Sequence, residues 1–547
     1  MMSNGAKRTV IQLARNYRLS SSSLSSSRIA QSGFRRRCLS TSTPASTSEK
    51  REWSTPLAKT LAEAIKTTGP ISIAAFMRQV LTNPDGGYYT STRESRGGDV
   101  FGKKGDFVTS PEITQVFGEL IGIWTVAEWM AQGRPSSGVE LIEVGPGKGT
   151  LMDDMLRTFR KFKNFASSID AVYLVEASAS LREVQKQLLC GADVALEETD
   201  IGHKSVSKHL GVPIIWVEDI RLLPHNDKTP FIFAHEFFDA LPIHAFQSVA
   251  PSPASNNPQQ EIMTPTGPAP LHQPLQKKPS ETTPQWRELM VSLNPKAVVE
   301  NKKDEPEFQL SLAKASTPSS LVIPEISARY KALKSQPGSI IEVSPESRIY
   351  AADFARRIGG FSPSANTSTG TSTRAGTAAA AATTTAAGVK PVSPAASPSG
   401  STRKTKPSGA ALILDYGTAS TVPVNSLRGI RQHTKISPFA FPGQVDVSAD
   451  VDFTSLAEAA IEASEGVEVH GPVEQADFLR AMGIAERAEQ LLKETKNEEK
   501  RKTLESGWKR LVDRGPNGMG KIYKAMAIIP ENGGRRRPVG FGGSVEG

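Results

Sequence analysis

An acid and three closely spaced glycines form a turn whose spacing restricts the ligands it could bind. The segment reads Glu143-Val-Gly145-Pro-Gly147-Lys-Gly149-Thr150 and follows a short apolar run. Glycines there let the backbone turn tightly and approach a ligand where side chains would collide, although many turns need glycine for geometry alone. A dinucleotide fingerprint would need glycine at position 150, and a phosphate-binding P-loop would need Ser or Thr at position 149. The remaining pattern predicts S-adenosylmethionine binding through Glu143, Gly145, Gly147 and Gly149.

Two further acids are expected to contact the same cofactor from neighbouring strand ends. Glu176 closes the second strand-like run, 27 residues after Gly149. An acid there can accept hydrogen bonds from both ribose hydroxyls. Asp219 closes the third run and is expected to face the adenine, although its neighbour Glu218 could take that place. A solvated surface acid is the alternative interpretation for each.

The predicted catalytic residues are Glu236 and Asp239, two carboxylates three positions apart after the fourth strand-like run. In open α/β sheets ligands bind beyond the carboxyl ends of the strands, so this loop should border the transferred methyl group. An arginine guanidinium stays protonated, and carboxylates can hold it by paired hydrogen bonds and orient one nitrogen for attack. Asp239 could instead cap a helix, and Glu236 could order the loop. His235 and His244 are weaker candidates for a base.

Upstream, Thr109-Ser110-Pro111 leads into an amphipathic helix. Ser before Pro, followed by Glu112, is a favourable helix entry. A helix cap therefore accounts for much of this segment.

Strand-like and helix-like segments alternate around these residues, which predicts an α/β fold with a parallel, doubly wound sheet. The predicted strands are 139–144, 171–176, 213–217, 231–234 and 410–415, and the predicted helices are 149–162 and 180–189. Shorter strand-like runs at 286–293 and 308–312 suggest a small β-rich lobe inserted between the fourth and fifth strands.

Two low-complexity segments, 248–284 and 362–409, lack the apolar periodicity of a packed core and are expected to be disordered surface insertions. They divide the chain into expected segments. These are 1–48, a transit peptide; 49–138, an N-terminal helical cap; 139–247, the first half of the sheet domain; 248–340, an insertion with a disordered start and a small β lobe; 341–361 and 410–547, the second half; and 362–409, a disordered insertion.

The charge distribution favours targeting over nucleic-acid binding. The net charge is +9, and the eight Lys and Arg residues of 1–48, a segment without acids, account for all but one of these charges. A Ser-rich, Arg-rich, acid-free N-terminus is typical of a mitochondrial transit peptide. Cys38 would leave with that peptide, and Cys190 alone cannot form an intramolecular disulfide or a thiolate metal cluster. We expect no metal, no nucleic-acid partner and no membrane-spanning segment.

Several blocks in a fixed order give the chain its resemblance to the MidA family, the mitochondrial complex I assembly factor 7 group of arginine methyltransferases. The blocks are Tyr88-Tyr89, Gly105–Ile113, Glu143–Gly149, Glu236–Pro242, Glu342–Pro345, Leu414–Gly417, Pro442–Asp446, Asp450–Phe453, Gln475–Ile484 and Met519-Gly520. One departure is His235, where relatives commonly have Asn, which leaves the hydrogen bonding of the substrate loop open.

The resemblance implies a class I methyltransferase fold, Rossmann-like, with a helical N-terminal cap over the cofactor and an inserted lobe. It places Thr109, Ser110 and Pro111 in the cap near the cofactor. It also implies symmetric dimethylation of an arginine on the 49-kDa, Fe–S-associated core subunit of complex I, in the mitochondrial matrix. The alternative is a non-catalytic complex I assembly chaperone on the same fold. The oligomeric state stays open.

Overall fold

The computed structural model describes residues 52–90, 109–250, 261–264, 267–270, 283–298, 300, 305–361 and 404–543. Its strands, in chain order, are β1 (Ile71–Ser72), β2 (Val139–Val144), β3 (Ile169–Val175), β4 (Glu197–Thr199), β5 (Gly202–Val206), β6 (Pro213–Val217), β7 (Thr229–His235), β8 (His244–Val249), β9 (Glu261–Thr264), β10 (Gly267–Pro270), β11 (Gln285–Leu293), β12 (Phe308–Leu312), β13 (Ile340–Val343), β14 (Ala410–Thr418), β15 (Arg428–Arg431), β16 (Thr434–Ile436), β17 (Asp446–Ser448), β18 (Val451–Asp452), β19 (Val467–Glu474) and β20 (Tyr523–Pro530).

The central sheet has the strand order β19-β20-β14-β7-β2-β3-β6-β5-β4, and the short β18 also pairs with β14. Strands β14, β7, β2, β3 and β6 run parallel. On one side β20 pairs antiparallel with β14 and with β19, and on the other β5 pairs antiparallel with β6 and with β4. The predicted parallel, doubly wound sheet is therefore confirmed, and antiparallel pairs extend it on both sides.

The described residues also form helices, some of which pack on the two faces of this sheet. They are, in chain order, α1 (Pro56–Thr68), α2 (Ile73–Thr82), α3 (Ser110–Ile113), α4 (Gln115–Ala131), α5 (Thr150–Phe159), α6 (Lys163–Ala166), α7 (Ala179–Leu189), α8 (Pro295–Val298), α9 (Pro318–Val322), α10 (Ala328–Lys334), α11 (Pro345–Gly359), α12 (Phe453–Ala463), α13 (Gln475–Ala481), α14 (Ile484–Glu494) and α15 (Glu498–Val512), with 3₁₀ turns at Ile220–Leu222, Phe238–Ala240 and Ile323–Glu325. The observed α/β architecture is thus that of a class I methyltransferase fold.

Alternation along the parallel strands produces two apolar cores. In β7, Phe231 and Phe233 pack with α4, α5 and α7 on one face, while Ile232 and Ala234 pack with α11 and α12 on the other. Successive strand residues point to opposite faces, so a continuous apolar run such as 231–234 fills both layers. This burial fixes the strand ends, where polar side chains emerge.

A second, smaller sheet joins the N-terminal helices to the insertion. Its order is β1-β11-β8-β13, with β12 also paired to β11. The predicted small β lobe is therefore present, but some of its strands lie outside the expected segment 248–340. Strand β8, most of which we assigned to 139–247, pairs with β11 and β13 instead of the central sheet.

Several sequence expectations concern residues outside the described ranges. These include the transit peptide 1–48, residues 105–108 of the upstream block and most of both low-complexity segments. Residues 404–409, assigned to the second disordered insertion, are described and make specific contacts: the Thr405 N–H donates to Asp227 Oδ1 at 2.8 Å, and the Gly409 N–H donates to Gln132 Oε1 at 2.8 Å. Within the described residues, no helix combines the length and apolar character that crossing a membrane requires.

Candidate active site

A cavity of about 1650 Å³ opens at the carboxyl ends of the parallel strands. Residues just after β2, β3, β6 and β7 border it, together with Tyr416 of β14. Leu81 of the helix Ile73–Thr82, Tyr89 of the turn region after this helix, and His433 of the β15–β16 turn contribute to its other walls. The cavity therefore occupies the position at which open α/β sheets bind their ligands.

The three glycines of the predicted loop all have left-handed backbone conformations, with φ of 63° at Gly145, 54° at Gly147 and 86° at Gly149. A Cβ on Gly145 would lie 2.7 Å from Cδ2 of Phe237. Gly145 and Gly147 line the cavity, whereas Gly149 is the residue before α5 and packs against α7. Glycine is thus required at Gly145 both by the backbone and by the neighbouring side chain.

Glu176 lines the cavity immediately after β3 and is almost fully buried. Its Oε1 accepts a hydrogen bond from the Ser178 N–H at 2.7 Å, and its Oε2 accepts one from Gln185 Nε2 at 3.0 Å. Burial raises the pKa of this carboxyl group to about 7, against the lowering effect of these two donors. Each carboxylate oxygen keeps a lone pair beyond its protein partner.

The residue after β6 that lines the cavity is Glu218 and not Asp219. Asp219 instead precedes a 3₁₀ turn, where its Oδ1 accepts the Arg221 N–H at 2.8 Å and its Oδ2 pairs with Arg221 Nη2 at 2.5 Å. The Arg221 hydrogen bonds lower the pKa of Asp219. Because it caps this turn, the Asp219 carboxylate does not line the cavity, whereas Glu218, the alternative for the expected adenine contact, does.

Helix α3 lies over the glycine loop. Thr109, Pro111 and Glu112 line the cavity, whereas Ser110 is fully buried and its Oγ has no hydrogen-bond partner among the described residues. Glu112 Oε1 lies 3.6 Å from Nζ of Lys148 in the glycine loop. The upstream segment and the loop are thus brought together, 36 positions apart in the chain.

Glu236 and Asp239 lie together in the loop after β7, and both line the cavity. Glu236 has a φ of 50°, a left-handed conformation that costs a non-glycine residue roughly 1–3 kcal/mol and clusters at functional sites. The Asp415 side chain holds this loop: its Oδ2 accepts the N–H groups of Phe237 at 3.1 Å, Phe238 at 2.9 Å and Asp239 at 3.4 Å. The sequence did not single out Asp415 as a site residue.

The buried carboxyl groups of this loop are hard to ionise without a cation. Burial, with Asp239 second, raises the pKa of Glu236 to about 8. Burial also raises the pKa of Asp239, although the Tyr416 hydroxyl donates to its Oδ2. Donors of Tyr523 and Ser110 lower the pKa of Glu236 against the effect of burial. Glu236 Oε1 lies 3.5 Å from Nε2 of His235, and neither it nor Asp239 Oδ1 has a hydrogen-bond partner among the described residues. Two buried oxygens without a hydrogen bond therefore border the cavity.

The two candidate histidines have different environments. His235 lines the cavity, packs 5.1 Å from the Phe117 ring and has a pKa lowered to about 3 by burial, so it is neutral at physiological pH. His244 is not among the cavity residues, and its Nδ1 lies 2.7 Å from Glu288 Oε1 in the second sheet. His235 is thus the histidine that borders the site.

Sequence reasoning also missed two polar pairs that join distant segments at the cavity. The Tyr89 hydroxyl donates to Asp446 Oδ1 at 2.9 Å, linking the turn region after α2 to β17. The Tyr416 hydroxyl lies 2.9 Å from Ser448 Oγ in addition to its contact with Asp239. These tyrosines and Asp446 occur in the blocks of the family resemblance, which was the available signal.

The fold and this cavity, with its glycine loop and its strand-end acids, define the class of Rossmann-like methyltransferases. A family model described as "Putative S-adenosyl-L-methionine-dependent methyltransferase" matches residues 120–473. The chain belongs to this family, and S-adenosyl-L-methionine is its cofactor.

Relatives and solved structures agree with this assignment. The chain is 32% identical over 501 residues to "Protein arginine methyltransferase NDUFAF7, mitochondrial" of Rattus norvegicus, covering 91% of this chain and 89% of the relative. The protein of that name from Homo sapiens is 32% identical over 488 residues, covering 88% and 86%. A crystal structure of a "likely methyl transferase" from Burkholderia thailandensis bound to S-adenosyl-homocysteine has a TM-score of 0.55 and 18% identity, covering 89% of this chain and 93% of that one. This structural likeness concerns the fold.

Proposed function

We propose that this chain is a mitochondrial protein arginine methyltransferase that acts in the assembly of respiratory complex I. The observation that carries the proposal is the pair of buried carboxylate oxygens beside the glycine loop, Glu236 Oε1 and Asp239 Oδ1, which accept no hydrogen bond from the described residues. A guanidinium is permanently charged and presents its donors in a planar fork, which suits two such acceptors. The names of the relatives support the same substrate class.

The charge of the cavity lining favours a cationic substrate. Its carboxylates are those of Glu112, Glu143, Glu176, Glu218, Glu236, Asp239 and Asp446. Its Lys and Arg residues are Lys148 and Arg510, and Lys148 faces Glu112. A phosphate-rich substrate such as RNA would require more basic than acidic residues in the lining. The lining therefore supports arginine over a nucleic acid.

For the cofactor, we propose contacts with Glu143, Gly145, Gly147 and Glu176, with Glu218 in place of Asp219, and with Thr109 and Pro111 of the cap. Gly149 and Ser110 would support these contacts from behind the lining. The residues fit this ligand: Glu176 has one lone pair left on each oxygen for the two ribose hydroxyls. The buried Glu143 Oε2 has no hydrogen-bond partner among the described residues and suits the cofactor's positive charge.

For methyl transfer to arginine, this chain must position the guanidinium and provide a proton acceptor. When bound, S-adenosylmethionine supplies a methyl group on a positively charged sulfur. Glu236 and Asp239 hold the guanidinium and orient one nitrogen towards that methyl carbon. The cofactor would supply the methyl group and keep the electron pair of the carbon–sulfur bond, so the attacking nitrogen would lose one proton. The Glu236 carboxylate accepts this proton, and its pKa of about 8 is closer to neutral pH than that of an ordinary carboxyl group.

The finer proposals are symmetric dimethylation, the 49-kDa Fe–S-associated core subunit as substrate, and the mitochondrial matrix as the location. We would incubate that subunit with the enzyme and cofactor carrying a radioactive methyl group, and then separate the methylated arginines of the hydrolysate. Symmetric dimethylarginine is the expected product. Asymmetric dimethylarginine would overturn the claim of symmetric dimethylation. Label on another residue type would overturn arginine as the methyl acceptor. Tight binding of the subunit without any label would favour the non-catalytic assembly chaperone.

A further inference from the structure

We infer that Gln185 of helix α7 is a positioning residue that holds the Glu176 carboxylate in the orientation needed to accept the ribose hydroxyls of the cofactor. The inference rests on the ribose role proposed for Glu176 and extends the cofactor site to a residue of another element. Gln185 is fully buried, at 0% exposure, and is not itself among the residues that line the cavity.

Gln185 makes three hydrogen bonds that join separate parts of the site. Its Nε2 donates to the Gly147 carbonyl oxygen at 2.7 Å and to Glu176 Oε2 at 3.0 Å. Its Oε1 accepts a hydrogen bond from the indole Nε1 of Trp216 in β6 at 2.9 Å. One amide thus connects the glycine loop, the acid after β3 and the neighbouring strand.

The chemistry of the three partners fixes the orientation of this amide. An indole N–H can only donate, whereas a peptide carbonyl and an ionised carboxylate can only accept. The amide oxygen must therefore face Trp216, and the amide nitrogen must face Gly147 and Glu176. A side chain of this length needs both a double donor and an acceptor at its end, which among the natural residues is Gln. The site is consequently selective for this residue type.

These contacts fix the orientation of the Glu176 carboxylate before a ligand binds. Ser178 N–H holds Oε1 and Gln185 holds Oε2, so both oxygens are fixed from the protein side and their remaining lone pairs are available to a ligand. A ligand that meets a fixed acceptor loses less conformational entropy on binding. The Gln185 bond also lowers the pKa of Glu176 against the effect of burial, and so favours the ionised acceptor.

The test uses two near-isosteric variants of the full chain and a matched control. Gln185→Met keeps the shape and removes all three hydrogen bonds, and Gln185→Glu places an acceptor against two acceptors. Gln187→Met makes the same change two residues along α7, at an exposed side chain. Dissociation constants for S-adenosylhomocysteine are measured by calorimetry, and thermal unfolding without ligand shows whether each variant folds.

We expect Gln185→Met to weaken S-adenosylhomocysteine by about tenfold, the equivalent of about 1.4 kcal/mol, and Gln185→Glu to weaken it further. Gln187→Met should bind as the wild type does. The midpoint of the pH dependence of binding should move to higher pH in Gln185→Met, because Glu176 loses a donor that favours its ionised form. A purely structural contribution to folding would not move this midpoint.

A double-mutant cycle with Glu176→Ala separates action through Glu176 from a general effect on the fold. If Gln185 acts through Glu176, adding Gln185→Met to Glu176→Ala should change affinity by less than about twofold. Fully additive effects, or a folded Gln185→Met that binds as tightly as wild type, would overturn the inference. Unchanged binding by Glu176→Ala alone would overturn the ribose assignment, and the inference with it. None of these outcomes depends on whether arginine is the methyl acceptor.

Discussion

The carboxylate of Asp415 accepts a hydrogen bond of 2.9 Å from the backbone N–H of Phe238, 177 residues earlier in the chain. The same Oδ2 atom also faces the N–H groups of Phe237 and Asp239, and Oδ1 accepts the Tyr416 N–H at 2.9 Å. Asp415 is fully buried, and burial raises its pKa well above the usual range. A single side chain of β14 therefore fixes the loop that carries both proposed catalytic residues.

We expect Asp415→Ala to lower kcat by on the order of 100-fold, because misplacing reacting groups by about 1 Å costs that much. Asp415→Asn keeps one oxygen acceptor for the loop and should lose less activity. The dissociation constant of the cofactor should change much less than kcat in both variants. Turnover on an arginine substrate and thermal unfolding check this, with the exposed Asp193→Ala as the control. Full turnover by a folded Asp415→Ala protein would show that the loop does not need this residue.

The glycine loop gives a second prediction. Gly147→Val should abolish measurable cofactor binding, because it adds a branched side chain at a left-handed position that lines the cavity. Gly145→Ala should weaken cofactor binding as well, since its Cβ would displace Phe237.

The control for the glycine variants is Gly211→Ala, which has a comparable φ of 71° and no atom within 4 Å of the added Cβ. It carries similar backbone strain away from the cavity, so its cofactor affinity should equal that of the wild type. Calorimetric titration with S-adenosylmethionine provides the measurement. Wild-type affinity in a folded Gly147→Val protein would contradict the proposed path of the loop under the cofactor.

The strand end after β6 allows a direct comparison of adjacent acids. Glu218→Ala should weaken cofactor binding, because Glu218 lines the cavity. Asp219→Ala should leave the affinity unchanged and cost about 1 kcal/mol of unfolding free energy, the typical effect of losing a capping side chain. Both variants are compared by cofactor titration and chemical denaturation. The reverse pattern of affinities would restore Asp219 as the adenine contact.

Cofactor affinity should depend on pH through the buried acids. Burial raises the pKa of Glu176 to about 7 and that of Glu143 to about 8, so both carboxyl groups are substantially protonated at pH 6 in the free protein. Deprotonating such a group costs about 1.4 kcal/mol for each pH unit below its pKa. A cationic ligand needs the ionised forms, so its affinity should rise from about pH 6 to about pH 8 and then level off.

The same raised pKa values predict that the stability of the ligand-free protein falls as the pH rises, whereas its affinity for the cofactor rises. A carboxyl group with a raised pKa in the folded state stabilises the fold below its unfolded pKa, and this contribution is lost as the pH rises through the folded pKa. The unfolding temperature without ligand should therefore fall between about pH 6 and about pH 9, and the increase caused by the cofactor should be larger at pH 8 than at pH 6. Glu176→Gln should reduce both dependences. A pH-independent affinity in the wild type would contradict the buried-acid description.

The parts of the site that the sequence predicted are those with a local signal. Gly145, Gly147 and Gly149 are recognisable because left-handed backbone positions select glycine. Apolar runs such as 139–144 mark buried strands, and polar residues after them mark the strand ends. Strand direction has no comparable local signal, which is why the antiparallel pairing of β20 with β14 and β19 was not anticipated.

The roles of Gln185 and Asp415 depend on tertiary contacts and have no local sequence signal, although Asp415 lies within the Leu414–Gly417 block of the family resemblance. Gln185 lies 38 residues from Gly147 and 31 from Trp216, and a glutamine on a helix with many polar neighbours looks like a solvated residue. The sequence left the choice between Glu218 and Asp219 open for a related reason: the turn after β6 decides which acid faces the cavity. Such contacts need the assembled fold.

In the function proposed for this chain, Glu236 holds the arginine guanidinium and accepts the proton that its nitrogen loses on methylation. The most direct measurement is the rate of label transfer to an arginine-containing subunit by the wild type and by Glu236→Gln, with cofactor affinity measured in both. We predict labelled arginine with the wild type, and in Glu236→Gln a rate lower by on the order of 100-fold at nearly unchanged cofactor affinity. Equal rates in the two proteins, or a wild type that binds cofactor and labels no arginine, would contradict the account.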